Sequence, residues 1–294
     1  MTVEGGSNYR LEAELDGTTT LVITGAWSDA AAGLLESGRA DGLDLNYAKG
    51  FKDTDLSFIR DWPIKRLSVI AGTVKDLSPV ERLSGTLRSL SVESAGSAPV
   101  NLAVFSSLTT LAAEWIQVRS TISDAPQLQD LILMSYPEND LTRLCWNSAL
   151  RRLRFKDRPR LQSLEGVEAF PALEHLGVYL APLKSLDALR TIDAPLAELH
   201  VESCRVGDLA PLARLTSLRL LNASECGDLQ SLRPIRNLRN LEMVWLYGTT
   251  KVLDDDLSPL LELPKLGELR MRSRRTYQPS VESIQRGLAE GREP

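Results

Sequence analysis

The chain has 294 residues, of which 43% are hydrophobic, 25% are charged and only 5% are aromatic. These proportions are typical of a folded soluble protein and predict a core built mainly of aliphatic side chains. The 34 basic and 39 acidic residues give a formal net charge of -5, which argues against nucleic acid as the partner.

The chain lacks the sequence signals of export and of membrane insertion. Residues 1–10 are polar, without the apolar segment of a secretory signal, and no apolar stretch reaches the length of about 18 residues that spans a bilayer. The three cysteines, Cys145, Cys204 and Cys226, form no CxxC pair. These features predict a protein of the reducing cytoplasm, and an excess of arginine over lysine is typical of GC-rich bacterial genomes.

The first predicted elements form an N-terminal cap over residues 1–39. Residues 9–23 alternate between polar and apolar side chains on either side of Asp16-Gly17, a pair that favours a two-residue hairpin turn. Residues 28–37 follow as a short helix rich in alanine and leucine, with Ser28 or Asp29 as its N-cap. The cap includes the first, degenerate copy of a repeat that continues through the chain.

Residues 40–272 are predicted to consist of further copies of this repeat, whose pattern is Leu-x-x-Leu-x-Leu. Twelve copies, two of them degenerate, begin 20 to 25 residues apart, at Thr18, Ala40, Ile64, Leu87, Leu108, Leu128, Leu150, Leu173, Leu196, Leu218, Leu241 and Leu266. Self-similarity at a fixed period of this size indicates a repeat architecture.

The pattern predicts one short strand per copy. Alternate side chains of a strand point to opposite faces, so the leucines of Leu-x-Leu enter one core while the residue between them faces outward. One such strand cannot bury its apolar face alone, but stacked copies bury a continuous one. Because a parallel sheet requires a return segment after every strand, the chain must turn back between copies.

The return segments share the form Asp-Leu-x-Pro-Leu, or close variants of it, at residues 76–80, 208–212 and 256–260. An Asp followed by an early Pro suits the start of a helix of one or two turns, since the carboxylate caps unpaired amides and Pro is tolerated in the first turn. Short α or 3-10 turns are therefore predicted opposite the strands. Residues 279–289 predict a last helix, within a C-terminal cap and tail over residues 273–294.

The copy from Leu196 to Ser217 resembles the short, 22-residue class of leucine-rich repeat, which includes internalin-type and phosphatase-regulator-type repeats. The resemblance covers about residues 18–272. It implies an α/β fold: a right-handed solenoid of about twelve coils with a concave parallel sheet, short turns on the convex side and a cap at each end. The chain departs from the family where an Asn ladder is usual, eight residues after the first leucine. That slot holds Tyr136, Arg158, Ala181, Cys204, Cys226 and Thr249, of which Cys is a substitute for Asn and the others are expected to break the ladder.

The concave face is the candidate functional surface. Positions two, four and six residues after the first leucine of each copy are expected to point outward, and in the second half of the array they carry large and charged side chains. The predicted partner-binding residues are Ile132, Met134, Arg152, Arg154, Lys156, His175, Tyr179, His200, Glu202, Met243, Trp245, Tyr247, Arg270 and Arg272. Trp, Tyr and Arg often dominate interface energies, which favours a protein partner. An apolar surface without function, or one that packs against the caps, is the alternative.

Two smaller features of this surface allow more than one interpretation. The basic side chains of Arg152, Arg154 and Lys156 either meet an acidic or phosphorylated partner or form a solvated face. The chain's two histidines, His175 and His200, are expected in adjacent copies, where ordinary interface roles are favoured over zinc, which needs three or four ligands.

The predicted function is that of a non-enzymatic adaptor, regulator or inhibitor that binds a protein, with no cofactor and no metal. The alternatives are an architectural solenoid that self-associates and an enzyme that uses the two histidines. A pocket that encloses both histidines would favour the enzyme. The sequence leaves the oligomeric state open.

Overall fold

A computed structural model of the chain describes residues 5–94 and 99–291. The first residues of the predicted N-terminal cap and the last of the predicted tail lie outside the described residues. The chain divides into two compact units, Met1–Leu133 and Met134–Pro294.

The first unit begins with an antiparallel hairpin and continues as a parallel sheet in chain order. Its strands are β1 (Gly5–Gly6), β2 (Tyr9–Ala13), β3 (Thr19–Ile23), β4 (Gly42–Asn46), β5 (Arg66–Ala71), β6 (Ser89–Ser94), β7 (Thr110–Glu114) and β8 (Asp130–Met134), whose last residue opens the second unit. Its helices are α1 (Asp29–Glu36) and α2 (Trp115–Val118), with 3-10 turns at Tyr47–Lys49, Ser78–Leu83, Leu102–Val104 and Ile122–Asp124.

The second unit contains a parallel sheet in the order β9-β10-β11-β12-β14-β16 and a separate parallel pair, β13-β15. Its strands are β9 (Arg152–Lys156), β10 (His175–Tyr179), β11 (Glu198–Glu202), β12 (Leu220–Asn222), β13 (Asp228–Leu229), β14 (Met243–Leu246), β15 (Lys251–Val252) and β16 (Glu268–Met271). Its 3-10 turns are Thr142–Leu144, Val167–Ala169, Asp187–Thr191, Ala210–Leu212, Arg233–Ile235 and Ser258–Glu262, and the unit ends with helix α3 (Val281–Glu290).

Apart from β1, β2, β13 and β15, the strands lie on the predicted repeats, and their register follows from the repeat. Leu176 of β10 is opposite Leu199 of β11, and Val178 is opposite Val201, so equivalent residues of consecutive copies stack on one another. These inward side chains are fully buried, and the residues between and beside them are half-buried, except that Gly177 of β10, which has no side chain, is buried as well. The periodic leucines therefore build a continuous aliphatic core within each unit.

The predicted return turns are confirmed, and they are 3-10 in type. The Asp76 carboxylate accepts a hydrogen bond from the Ser78 amide at 2.9 Å. Equivalent bonds join Asp208 to the Ala210 amide at 2.8 Å and Asp256 to the Ser258 amide at 3.0 Å. Each carboxylate thus satisfies an amide that the short turn leaves without a backbone partner.

The N-terminal hairpin and helix are present, with one difference in the turn. The Glu14 amide donates to the Thr18 carbonyl at 2.9 Å, so the hairpin loop has three residues instead of the predicted two, with Gly17 at a φ of 82°. Helix α1 starts where the sequence predicts, because the Ser28 hydroxyl accepts a hydrogen bond from the Ala31 amide at 3.4 Å. The division of the chain into caps and repeats at residues 39/40 and 272/273 remains a prediction.

Helix α3 packs against the last strand of the second unit. Its N-cap is Ser280, and Val281 and Ile284 are buried. The Gln285 side chain donates to the Leu269 carbonyl of β16 at 3.0 Å. The helix therefore covers apolar surface at the edge of the sheet and satisfies a backbone group there.

The slot where the family usually has Asn carries a ladder of other donors in three consecutive coils. The Cys204 thiol donates to the Val178 carbonyl at 3.5 Å, and the Cys226 thiol donates to the Val201 carbonyl at 2.8 Å. The expectation that the ladder is broken in the coil of Thr249 is wrong. The donor in that coil lies nine residues after the first leucine instead of eight, and it is the Thr250 hydroxyl, which donates to the Ala223 carbonyl at 2.8 Å.

Candidate interaction surface

The outward side chains of the second unit form what we call the strand face. It consists of the outward residues of β9 to β12, β14 and β16, together with Tyr247 and Arg272, which follow strands. The strand register aligns its central positions in one row across the sheet, namely Arg154, Gly177, His200, Asn222, Trp245 and Arg270. Arg154, His200, Trp245 and Arg270 of this row are predicted binding residues, whereas Gly177 and Asn222 are not.

Aromatic rings and a guanidinium group contact one another across the strand face. The rings of Tyr179 and His200 have centroids 6.0 Å apart, and His200 meets Trp245 edge-on at 6.0 Å. The Arg270 guanidinium lies over the Trp245 ring, 4.8 Å from its centroid. Tyr179, His200 and Trp245, which we call the aromatic row, thus end in a cation–π contact.

Three carboxylates hold these side chains in place. Glu268 accepts a hydrogen bond from the Trp245 indole nitrogen at 3.1 Å and also pairs with Arg270. Glu198 lies 2.9 Å from Nδ1 of His175 and 3.8 Å from Nε2 of His200.

The third carboxylate, Glu202, accepts a hydrogen bond from the Asn222 amide at 3.0 Å. Asn222 is only 2% exposed and lies on β12, directly between His200 on β11 and Trp245 on β14. Trp245 is therefore held by Glu268, while His200 lies next to Glu198 and to Asn222, which Glu202 holds.

Burial sets the protonation states in the aromatic row. It lowers the pKa of His200, and the nearby Glu198 and Glu202 carboxylates oppose this shift only partly. Burial also raises the pKa of Tyr179. Near neutral pH both side chains are therefore favoured in their neutral forms.

A hollow of 260 Å³ lies beside the aromatic row. Its lining includes Arg152, Arg154, His175, Tyr179, Glu198 and His200, with Gly177 in the floor. A Cβ atom at Gly177 would come within 2.8 Å of the Tyr179 ring and 3.1 Å of the Arg154 side chain. Glycine is therefore needed for the close approach of Tyr179. Gly177 is not among the predicted binding residues, although it occupies an outward position of the repeat.

Several predicted surface residues differ in exposure from the expectation. Met134 is only 8% exposed, so its prediction as an exposed side chain is wrong. Ile132 and Trp245 are half-buried, and Ile132 lies in the first unit, outside the strand face. Neighbouring strands are only about 4.8 Å apart, so large outward side chains cover one another.

The other predicted residues lie at outward positions of the strand face. Arg152, Lys156, Arg270 and Arg272 are exposed, and Tyr247 is 37% exposed. Arg154, His175, Tyr179, His200, Glu202 and Met243 are half-buried. The basic side chains of β9 share one face, as alternation predicts.

Among the described residues there is neither a metal-binding cluster nor a membrane-spanning helix. Between residues 5 and 291, apart from 95–98, no three His, Cys, Asp or Glu side chains are placed to hold a metal ion. Within the same described ranges, none of the helices has the length and apolar character needed to cross a bilayer.

Comparisons with known proteins identify the fold. No protein-family model matches the chain, and no curated protein matches its sequence. An internalin from Listeria monocytogenes has a similar structure, with a TM-score of 0.51 and 16% identity over 72% of this chain and 77% of that one. The functional domain of InlJ from the same species, described as including a cysteine ladder, gives 0.50 and 15%, over 79% of this chain and 56% of that one.

A leucine-rich-repeat protein of Leptospira interrogans gives a TM-score of 0.48 and 17% identity, over 80% of this chain and 64% of that one. All these neighbours are leucine-rich-repeat proteins. The two structures with TM-scores of 0.51 and 0.50, together with the parallel sheet in chain order, show that the fold is a leucine-rich-repeat solenoid, as the sequence predicts.

Proposed function

We propose that the chain is a non-enzymatic protein-binding module, acting in the cytoplasm as an adaptor, regulator or inhibitor, and that its partner docks on the strand face. The observation that carries the proposal is the aromatic row with Arg270 stacked on Trp245. Trp, Tyr and Arg are the residues that most often dominate interface energies.

The row supports binding because it is already ordered. Immobilising a flexible side chain costs about 0.5 to 1.5 kcal/mol on association. Glu268 fixes Trp245 and Arg270, and Glu198 fixes His175. These side chains of the module therefore lose little further conformational entropy when a partner binds to them.

The experiment is affinity capture from the native cell extract, read out by quantitative mass spectrometry. The double substitution Trp245→Ala, Tyr247→Ala is expected to lower the yield of the specific partner about tenfold or more, since hot-spot truncations cost about 2 kcal/mol or more. Leu261→Ala is the matched control, because Leu261 is 64% exposed on a return turn, away from the strands. Equal capture by the double variant and the control would refute the proposal.

Self-association is the alternative use of the same surface. A second copy docked on the strand face would appear as a dimer or larger species in light scattering. The Trp245→Ala, Tyr247→Ala variant would then be monomeric, and the captured partner would be the chain itself.

The hollow beside the aromatic row favours an enzymatic alternative, because it encloses both histidines. However, Tyr179 is the only hydroxyl-bearing residue among the residues that line it, all of which the structure describes. Burial raises the pKa of Tyr179, which is opposite to the shift that activates a nucleophile. The hollow is therefore better suited to binding than to catalysis.

A further inference from the structure

Acidic, aromatic and apolar side chains meet where the chain leaves strands β10, β11, β12 and β14. Tyr179 is paired in register with Glu202, and the Leu180 amide donates to the Glu202 carbonyl at 3.0 Å. Two coils further along, the Glu225 amide donates to the Tyr247 carbonyl at 3.1 Å. We call these five residues, Tyr179, Leu180, Glu202, Glu225 and Tyr247, the exit patch.

The two carboxylates of the exit patch have hydrogen-bond donors but no cation. Glu202 accepts a hydrogen bond from the Asn222 side chain at 3.0 Å, and Glu225 accepts one from the Thr249 amide at 2.9 Å. Within the part of the chain that the structure describes, no Lys, Arg or His side chain forms an ion pair with either carboxylate. Both glutamates are half-buried, so their charge is screened less than that of a fully exposed group.

The two tyrosines lie beside these carboxylates. The Glu225 carboxylate lies against Gly248, where a Cβ atom would clash with it, and Gly248 directly follows Tyr247. Burial raises the pKa of Tyr247, and the nearby Glu202 and Glu225 carboxylates raise it further. Burial also raises the pKa of Tyr179, with a smaller contribution from Glu202. Glu202 is therefore near both tyrosines, and Glu225 is near Tyr247.

Leu180 adds an exposed apolar side chain to the exit patch. It is 55% exposed, and its φ of 58° is unfavourable for a leucine. The equivalent position of the other coils holds polar residues or glycine, namely Ser135, Asp157, Ser203, Glu225 and Gly248. The fold therefore does not require an apolar residue at this position, which favours a contact outside the chain.

We infer that the exit patch binds an arginine side chain of the protein partner. The planar guanidinium has several N–H donors that can reach two carboxylates, whereas the ammonium of lysine is a compact point charge. A guanidinium also stacks on tyrosine rings, and the aliphatic stem of arginine can pack on Leu180. This inference rests on the proposed function and identifies one group that the partner presents.

Other cations fit the exit patch less well. A calcium ion takes about six to eight oxygen ligands, and among the described residues no three His, Cys, Asp or Glu side chains are placed to hold a metal ion. Burial lowers the pKa of His200, so near neutral pH its ring does not neutralise Glu202. Lys156 on β9 is two strands from Glu202 on β11, about 10 Å away. The charge of the two glutamates is therefore available to a group outside the chain.

The test is an NMR titration of the isotope-labelled full-length protein with single amino-acid derivatives. N-acetyl-arginine amide is expected to shift the backbone amide signals of the exit patch saturably. N-acetyl-citrulline amide has nearly the same shape without the charge, and it is expected to leave these signals in place. N-acetyl-lysine amide is expected to bind more weakly than the arginine derivative.

Glu202→Gln is expected to weaken the affinity for the arginine derivative by on the order of tenfold, the effect of losing one charge-assisted hydrogen bond. Glu225→Gln is a second variant in case the first perturbs folding. Glu165→Gln, at an exposed position outside the exit patch, is the matched control and should leave the affinity unchanged.

Four results would overturn the inference: no saturable shift with the arginine derivative, equal shifts with the citrulline derivative, equal or tighter binding of the lysine derivative, or unchanged affinity in both patch variants. Partner capture by the wild-type protein is measured without these small probes. The inference can therefore fail while the proposed function holds.

Discussion

At the scale of single residues, Thr250 joins two coils through one hydroxyl group. It donates to the Ala223 carbonyl at 2.8 Å and accepts a hydrogen bond from the Cys226 amide at 2.9 Å. Thr250 and Cys226 are both buried, so neither backbone group has water as a substitute partner. Burial also raises the pKa of the two ladder thiols, to about 12 at Cys204 and about 11 at Cys226, so both remain protonated donors.

Replacing Thr250 with Val keeps the shape of the side chain and removes both hydrogen bonds. We expect the free energy of unfolding to fall by about 1 to 3 kcal/mol, the usual cost of leaving buried polar groups without partners. The measurement is urea denaturation, with hydrogen exchange at the Cys226 amide as a local readout. Thr249→Val, at the exposed neighbouring position, is the control and should change stability by no more than about 0.5 kcal/mol. Equal effects of the two substitutions would show that the ladder does not stabilise the fold.

The sequence predicted which residues face outward, because alternation along a strand depends only on the spacing of the leucines. It therefore placed His200, Trp245 and Arg270 on one face. It did not predict that Met134 is buried, since exposure depends on how far neighbouring side chains reach over one another. The hollow at Gly177 was missed for the same reason: an absent side chain has meaning only once the adjacent strands are known.

At the scale of the element, the Asp of each return turn acts as a local cap. The Asp256 carboxylate accepts hydrogen bonds from both the amide and the hydroxyl of Ser258, at 3.0 and 2.6 Å, and Arg233 lies 3.6 Å away. The hydrogen bonds with Ser258 are the main cause of the lowered pKa of Asp256, and Arg233 contributes less. The ionised form is therefore the one that stabilises the turn.

This shift predicts an acid-dependent loss of stability. Because the folded pKa lies below the ordinary value of 3.8, the contribution is complete above that pH and disappears as the pH falls through the folded pKa. Asp256→Asn is expected to be less stable than the wild type at pH 7 and to lose less stability below pH 3.8. Urea midpoints across this range measure the difference, with Asp193→Asn, in an exposed loop, as the control. A parallel pH dependence of the wild type and Asp256→Asn would contradict the assignment.

The return turns could be predicted because Asp and Pro carry their conformational preferences in the sequence. The backbone conformation of the residue that follows each strand could not be predicted in this way. In five coils of the second unit the residue seven positions after the first leucine has a positive φ although it is not glycine: Ser135, Asp157, Leu180, Ser203 and Glu225. Only Gly248, in the next coil, carries the residue type that signals this conformation. At the other five positions the stacked coils impose it.

At the scale of the whole molecule, stability is expected to be local. In a repeat array each coil contacts mainly its neighbours, so the total stability is approximately a sum of coil and interface contributions. The pairing of the strands in chain order, from β3 to β7 in the first unit and from β9 to β16 in the second, fits this description. A defect in one coil should therefore weaken its own unit first.

Two matched core substitutions test this expectation. Leu90 of β6 and Leu199 of β11 occupy equivalent positions of the repeat in different units, and both are fully buried. Each change to Ala is expected to cost about 2 to 5 kcal/mol, through lost burial and a remaining cavity. Hydrogen exchange followed by mass spectrometry should show faster exchange within Met1–Leu133 for Leu90→Ala and within Met134–Pro294 for Leu199→Ala. The reciprocal unit of each variant serves as its internal control. Uniform acceleration along the whole chain in either variant would mean that the array unfolds as one cooperative block, because a local defect cannot otherwise speed the exchange of distant amides.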